Sequence, residues 1–266
     1  MTGKWFLRHR NPDLVEWMDQ PDCDPVRLHN TYQNFRIVNR LLSGWRRVYV
    51  TRIRPCLAES SVTRMRLLDV GCGGGDIPRR IHQWALADGF DLEVTGIDPD
   101  SRALAFARHH HNPTKGLRFM QADSAELIRD GQTFDLVICN HVLHHLPAEG
   151  ILPFLQELDQ LSSRRVLCGD IARSAAGYAL FSLFTLPFFR NSYIRPDGLI
   201  SIRKSFTAKE IRAILPDSWT VEQPFPFRLL LIRDRVCDST QPGMQSAKMR
   251  SDKVIQDKVN SAKNEI

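Results

Sequence analysis

Between residues 65 and 235 the chain alternates two hydrophobic rhythms. Short apolar runs of strand length give way to longer stretches with apolar positions every three or four residues. Strands are predicted at Arg66–Val70, Leu92–Ile97, Leu117–Gln121, Phe134–Cys139 and Arg165–Cys168. Helices are predicted at 77–87, 100–110, 124–130 and 148–161. Such alternation marks an α/β fold built on a parallel sheet. Asp76 is expected to cap the first of these helices, with Pro78 in its first turn. Thr207 and Glu210 read as a capping box for a helix to about Leu215. The last two strand-like runs, 219–222 and 227–233, have no helix between them and predict an antiparallel hairpin at the sheet edge.

Three segments depart from that alternation. Up to residue 62 the chain reads as a helical extension, in which Phe35, Val38, Leu42, Trp45 and Tyr49 share one face of a helix near 31–53. Arg36, Arg40, Arg47 and Arg54 fall on another face, and Pro55 is expected to end the helix. The stretch 173–206 interrupts the α/β order as an insertion crowded with Tyr178, Phe181, Phe184, Leu186, Phe188 and Phe189. As helix it is apolar on nearly all sides, so something must cover it. It is read either as a packed helix hairpin or as a lid over an aromatic, isoprenoid or acyl substrate, with contact to a membrane surface. Arg173, Arg195, Asp197 and Arg203 would be its polar fixtures, and Asp170 would face the substrate. Residues 236–266, poor in large apolar side chains, are expected to form a disordered tail. The core domain is accordingly placed at 63–235.

Composition changes this picture little. An apolar share of 42% and a charged share of 25% suit an ordinary soluble enzyme. Six cysteines without a C-x-x-C pair read as core thiols of a reducing compartment. No secretory signal opens the chain, and Ser174–Phe189 is too short to span a bilayer, so a cytoplasmic location is expected, with membrane association as an option if the insertion is a lid. The net charge of +6 comes from the first 66 residues, where twelve Lys/Arg stand against six Asp/Glu. A basic surface can meet RNA, anionic lipid or an anionic substrate, or simply be solvated.

The candidate chemistry lies at the ends of the predicted strands. Leu67–Asp76 reads LLDVGCGGGD, a strand running into a turn where Gly71, Gly73 and Gly75 let the backbone pass close beneath a ligand. A dinucleotide fold has a comparable turn, but a carboxylate at Asp76 repels a pyrophosphate and suits an ammonium or sulfonium group. Gly96-Ile97-Asp98-Pro99 ends the second strand with a carboxylate able to accept from ribose hydroxyls. Asp123 and Ser124 follow the third strand, where a carboxylate and a backbone N–H can meet adenine; alone, Asp123 reads as a helix cap. The fourth strand delivers Asn140, His141, His144 and His145 beside the glycine turn.

Four such elements in this order resemble a class I S-adenosylmethionine-dependent methyltransferase. They are similar to the group containing ubiquinone, menaquinone and phenolic or polyketide small-molecule methyltransferases. The resemblance covers about 31–233 and includes YQNFRIVNRLLSGWRRVY and the FTAKEI stretch. It implies a seven-stranded, mostly parallel Rossmann-like sheet with helices on both faces, to which the residues add the N-terminal helical extension and the helical lid insertion. It implies S-adenosyl-L-methionine as cofactor. Asp69, Gly71 and Gly73 would hold its methionine end, Asp98 with Pro99 its ribose, Asp123 and Ser124 its adenine, and Asn140 and His141 the sulfonium side. Quinone C-methyltransferases have an Arg–Asn pair where this chain has His144–His145, which favours methylation on oxygen over carbon.

His144 and His145 stand where a base is needed to deprotonate a phenol, a task matched to imidazole. The alternative is that one caps a turn and the other packs on the sheet. His141, His144 and His145 have metal-like spacing, but no Asp, Glu or Cys joins them at an obvious interval, so no metal is expected. The expected function is methyl transfer to a small lipophilic phenol, polyketide or quinol by a monomer or homodimer. The competing readings are a quinone-ring C-methyltransferase and a non-catalytic cofactor-binding subunit. A nucleic-acid methyltransferase is disfavoured because Asn140-His-Val-Leu lacks the Pro-Pro-aromatic grip on a flipped base. A nicotinamide dehydrogenase is disfavoured by Asp76 and by the lack of a Tyr-x-x-x-Lys relay.

Overall fold

The computed structural model describes residues 7–110 and 114–235, so the expected tail at 236–266 and His111 lie outside the described residues. Asp24 accepts from the amides of Val26 and Arg27 and, with Pro25 at the first position, starts α1 (Pro25–Leu42). Of the apolar face predicted from 31 to 53, Trp45 and Tyr49 are buried, Phe35 and Val38 are half-buried and Leu42 is exposed, and the helix carrying them is broken. Gly44, at φ +74°, interrupts it. The chain resumes as α2 (Trp45–Val48), a π-helical turn (Tyr49–Ile53) and α3 (Arg54–Ala58). Pro55 does not end the helix: it sits in the first turn of α3, directly after the π-helical turn. Trp45, Tyr49, Ile53 and Leu57 all turn inward against one face of the sheet.

The sheet follows: β1 (Arg64–Val70), α4 (Asp76–Ala87), β2 (Asp91–Asp98), α5 (Ser101–His110), β3 (Leu117–Gln121), α6 (Ser124–Arg129), β4 (Phe134–Asn140), α7 (Ile151–Leu161) and β5 (Ser162–Ile171). After it come α8 (Ala175–Thr185), α9 (Ile194–Lys204), α10 (Ala208–Ile214), β6 (Thr220–Glu222) and β7 (Arg228–Asp234). Thr207 and Glu210 make the expected capping box. Asp76 is not the cap of α4; Gly75 holds that position and Asp76 is the first helical residue, its side chain turned elsewhere.

The strand order is β3-β2-β1-β4-β5-β7-β6. The first five strands run parallel, and β7 inserts antiparallel between β5 and β6. Leu67 pairs with Val94 on one side and Leu136 on the other, so the central strands are buried on both faces. Strand order reverses between β1 and β4, and open α/β sheets bind ligands outside the carboxyl ends of the strands at such a point. The insertion supplies α8 and α9, packed so closely that a Cβ on Gly198 would lie 2.4 Å from the Phe181 ring. Among the described residues no helix is long and apolar enough to cross a membrane.

Candidate active site

A cavity of about 1070 Å³ opens at the switch point. Its floor is the turn after β1. Gly71 and Cys72 both donate their amides to Ile97 O at 2.9 Å, and the Gly73 amide donates to Asp98 Oδ2 at 2.8 Å. Gly71 stands at φ +71° with Val142 2.6 Å from where a Cβ would lie, so no other residue fits there. Asp98 also accepts from the Asp100 amide through Oδ1 at 2.9 Å. Each of its oxygens therefore keeps a lone pair for a ligand.

Three buried carboxylates line this end: Asp69, Asp76 and Asp98. Burial raises the Asp69 carboxyl well above the usual range, and the fields of Asp76 and Asp98 add to that. Its Oδ1 is buried without a hydrogen-bond partner. Burial also lifts Asp76 to about 6 against the pull of Asn39, whose side-chain amide donates to both its oxygens at 3.1 and 3.2 Å. An orphaned carboxylate oxygen among three acids asks for a cation. The ammonium and sulfonium groups of S-adenosylmethionine match that demand, and the free lone pairs of Asp98 match ribose hydroxyls.

The opposite end is built around His144. Its ring is 1% exposed, with Nδ1 2.7 Å from Asp170 and Nε2 3.4 Å from Glu16; its amide donates to Asp170 Oδ2 at 2.9 Å. Burial opposes the imidazolium, yet the Asp170 and Glu16 carboxylates outweigh it and raise His144 to about 9. Burial likewise opposes the Glu16 carboxylate, and His144, His145 and Lys204 overcome it to bring Glu16 down to about 2. Both nitrogens of His144 are occupied, so the ring is a clamped cation rather than a free base. Asp170 does not line the cavity, contrary to expectation; it is buried behind His144.

His145 remains accessible, 34% exposed, between Lys204 Nζ at 3.2 Å and Asp19 at 3.3 Å. Glu16, His144 and His145 approach one another closely enough to ligate a metal. The Lys204 ammonium, 3.7 Å from the same Glu16 oxygen, already supplies positive charge there. His141 stands at φ +63°, a conformation rare outside glycine, and its Nε2 accepts from Arg228 at 2.6 Å. Desolvation and then the Arg228 guanidinium push it well below the ordinary histidine range.

The structure therefore brings Asp69, Gly71, Gly73, Asp98, Asn140, His141, His144 and His145 around one cavity. Pro99, Asp123 and Ser124 do not line it. The Pro99 carbonyl accepts from Gln121, the Asp123 carboxylate caps α6, and the Ser124 hydroxyl donates to Glu157. Of the four polar residues assigned to the insertion, Asp197 lines the cavity and accepts from the Trp17 and Met18 amides at 2.8 and 3.0 Å. Burial lifts it to about 7. Arg173 instead braces the backbone, donating to Leu7 O and Ser205 O. Glu16, Asn39, Lys204 and Arg228 were missed because each meets its partner only through the fold.

The remaining wall is apolar. Phe35 and Val38 of α1, Phe181 and Phe184 of α8, and Ile194 and Ile202 of α9 face the same space. Around the mouth Leu41, Phe184, Phe188 and Phe225 stay largely exposed.

A family profile described as a methyltransferase domain matches residues 67–164. A ubiquinone biosynthesis O-methyltransferase of Burkholderia lata is 33% identical over 95 residues, 35% of this chain and 38% of that protein. Its namesake in Coxiella burnetii is 29% identical over 97 residues, 36% of this chain and 39% of the relative. The chain thus spans well under half the length of these relatives. Among solved structures, the plantazolicin methyltransferase BpumL in complex with SAH aligns with a TM-score of 0.58 at 15% identity, over 82% of this chain and 93% of that one. The CurJ carbon methyltransferase aligns with a TM-score of 0.55 at 13% identity, over 79% of this chain and 61% of that one. These two likenesses concern the fold. The profile match marks residues 67–164 as similar to a methyltransferase domain, and the sheet order gives that stretch the same fold as these two structures.

Proposed function

We propose that the chain transfers the methyl group of S-adenosylmethionine to oxygen of a small lipophilic acceptor. The observation that carries this reading is one cavity with two unlike ends: buried carboxylates below the glycine turn, and an aromatic and aliphatic wall from α1, α8 and α9. The acidic end suits the donor. The apolar end suits an acceptor that is mostly hydrocarbon.

When bound, the donor supplies an activated methyl group; the protein has to align the acceptor and exclude water. Asp69 and the Gly71–Gly73 turn hold the methionine end, Asp98 the ribose, and Asn140 and His141 border the transferring group. Asp123 and Ser124 serve adenine only by backbone groups or after a local shift, since their side chains are engaged elsewhere. His145, with its ring open to the cavity, borders the acceptor end, while His144 is its fixed support. We read residues 1–62 and 173–206 as covers on a catalytic domain at 63–235. The leucine and phenylalanine rim is the surface we propose meets lipid when the acceptor is dissolved in a membrane.

The test is methyl transfer from labelled S-adenosylmethionine to hydroxylated and carboxylated aromatics carrying alkyl tails of increasing length. Burying one methylene is worth about 0.8 kcal/mol, so kcat/KM should rise by up to about fourfold per added carbon until the cavity is full. Phe184→Asp should flatten that rise while leaving the shortest acceptor unaffected. Transfer independent of tail length, or no transfer to any such acceptor, would refute the reading.

A further inference from the structure

Arg228 is buried at the start of β7 and lines the cavity, yet it has no ionic partner. Among the described residues no carboxylate stands within 4.0 Å of its guanidinium. Its two hydrogen bonds go to neutral groups, Asn140 Oδ1 at 2.9 Å and His141 Nε2 at 2.6 Å. A guanidinium has five N–H donors, so three are unspent, and Nε is buried without any partner. Burial lowers Arg228 to about 10, and Asp170, the carboxylate whose field opposes that, is committed to His144. A buried cation so poorly compensated is costly unless a ligand completes it.

The surroundings define that ligand. Ile171, Ala172, Phe227 and Phe181 make the neighbouring wall apolar, so the partner is one polar group on a hydrocarbon body. Asn140 and His141, the residues Arg228 touches, end β4 beside the glycine turn, so the group lies next to the donor's methyl. The inner imidazoles are poorly placed to accept a proton. His144 has both nitrogens on carboxylates, and His141 Nε2 is held by Arg228 itself.

Resting on the methyltransferase reading above, we propose that the acceptor binds as an oxyanion, a carboxylate or an ionised phenol, with its charged oxygen held by Arg228. Transfer then needs no base. A lone pair of the oxyanion forms the O–CH3 bond as the CH3–S bond breaks and its electron pair goes to sulfur. Anion and sulfonium cancel, leaving a neutral ester or ether, and no proton is released. The neutral product no longer satisfies the guanidinium, which favours its exit.

The experiment uses the full chain saturated with S-adenosylhomocysteine, whose own binding is first measured by calorimetry. It compares 4-octylbenzoate with the isosteric 4-octylbenzamide, and follows an alkylated nitrophenol whose yellow phenolate reports its ionisation. One charge-assisted hydrogen bond is worth about 1.5–3 kcal/mol, so the wild type should prefer carboxylate to amide by about tenfold or more. It should also turn the nitrophenol yellow at a pH where the free compound is mostly colourless. Arg228→Gln should abolish both effects, and Arg228→Lys, which keeps the charge, should retain most of each. Preference for the benzoate alone assigns a carboxylic acid, and yellowing alone assigns a phenol. Equal affinity for benzoate and amide without yellowing, or binding of none of the probes, overturns the proposal. So does an Arg228→Lys variant that melts like the wild type yet shows neither effect. Failure of S-adenosylhomocysteine itself to bind would instead refute the methyltransferase reading.

Discussion

Asp98→Ala is expected to weaken S-adenosylmethionine binding by about a hundredfold or more, enough to remove a micromolar calorimetric signal. Two losses combine. The carboxylate offers two free lone pairs toward the cavity, and hydrogen bonds to a charged group contribute about 1.5–3 kcal/mol each. The same carboxylate also holds the turn, because its oxygens accept from Gly73 and Asp100. Without it the Gly73 amide loses its partner and the cradle loosens. Asp98→Asn separates the two effects: it keeps an acceptor for one of these amides while losing the charge, so it should retain more of the turn than of the affinity. Unchanged affinity in Asp98→Ala would remove Asp98 from the donor site.

His144 is expected to dominate the pH dependence of stability between about pH 7 and 9. In the folded chain it keeps its proton to about pH 9, against an ordinary value of 6.5. A raised histidine stabilises fully below 6.5, and that contribution fades as pH climbs through 9. A gap of this size corresponds to about 3 kcal/mol. Glu16, held near 2 against an ordinary 4.5, acts in the opposite direction: its contribution is full above 4.5 and disappears as pH falls toward 2. Through these two groups melting temperature should fall as pH rises from about 6.5 through 9 and as it falls from about 4.5 toward 2. His144→Gln leaves Glu16 and Asp170 buried without their cation, a loss of about 3–5 kcal/mol at pH 6. Its melting curve should also be flatter between pH 6.5 and 9.5. A wild-type melting temperature level across that alkaline range would contradict the clamped imidazolium.

These two residues also mark what the sequence can and cannot reveal. Asp98 is legible because its proposed role is local: a carboxylate that closes the apolar strand after a glycine turn points at whatever the turn cradles. The Thr207–Glu210 box is local in the same sense, and so are the strands themselves, whose hydrophobic rhythm is dictated by burial on both faces. His144 is legible as a residue but not as a state. Its partners are Glu16, near the other end of the chain, and Asp170, one strand away; no spacing rule connects them. Lys204 and Arg228 are hidden for the same reason. Pro55 and Asp76 mislead in a different way, since each carries a correct local preference that applies one position or one turn away from where the pattern places it.

The matched core at 67–164 contains Asp69, Gly71, Gly73, Asp98 and Asn140 but excludes Glu16, Asp170, Phe181, Phe184, Lys204 and Arg228. On the reading proposed above, most residues that hold the methyl donor form a contiguous cassette, and the flanks on either side of it supply most of the acceptor end. The two can change independently over evolutionary time. Donor affinity can stay constant while replaced flanks present a new acceptor to the same methyl group, and a chimera carrying these flanks on a related core should inherit their acceptor preference.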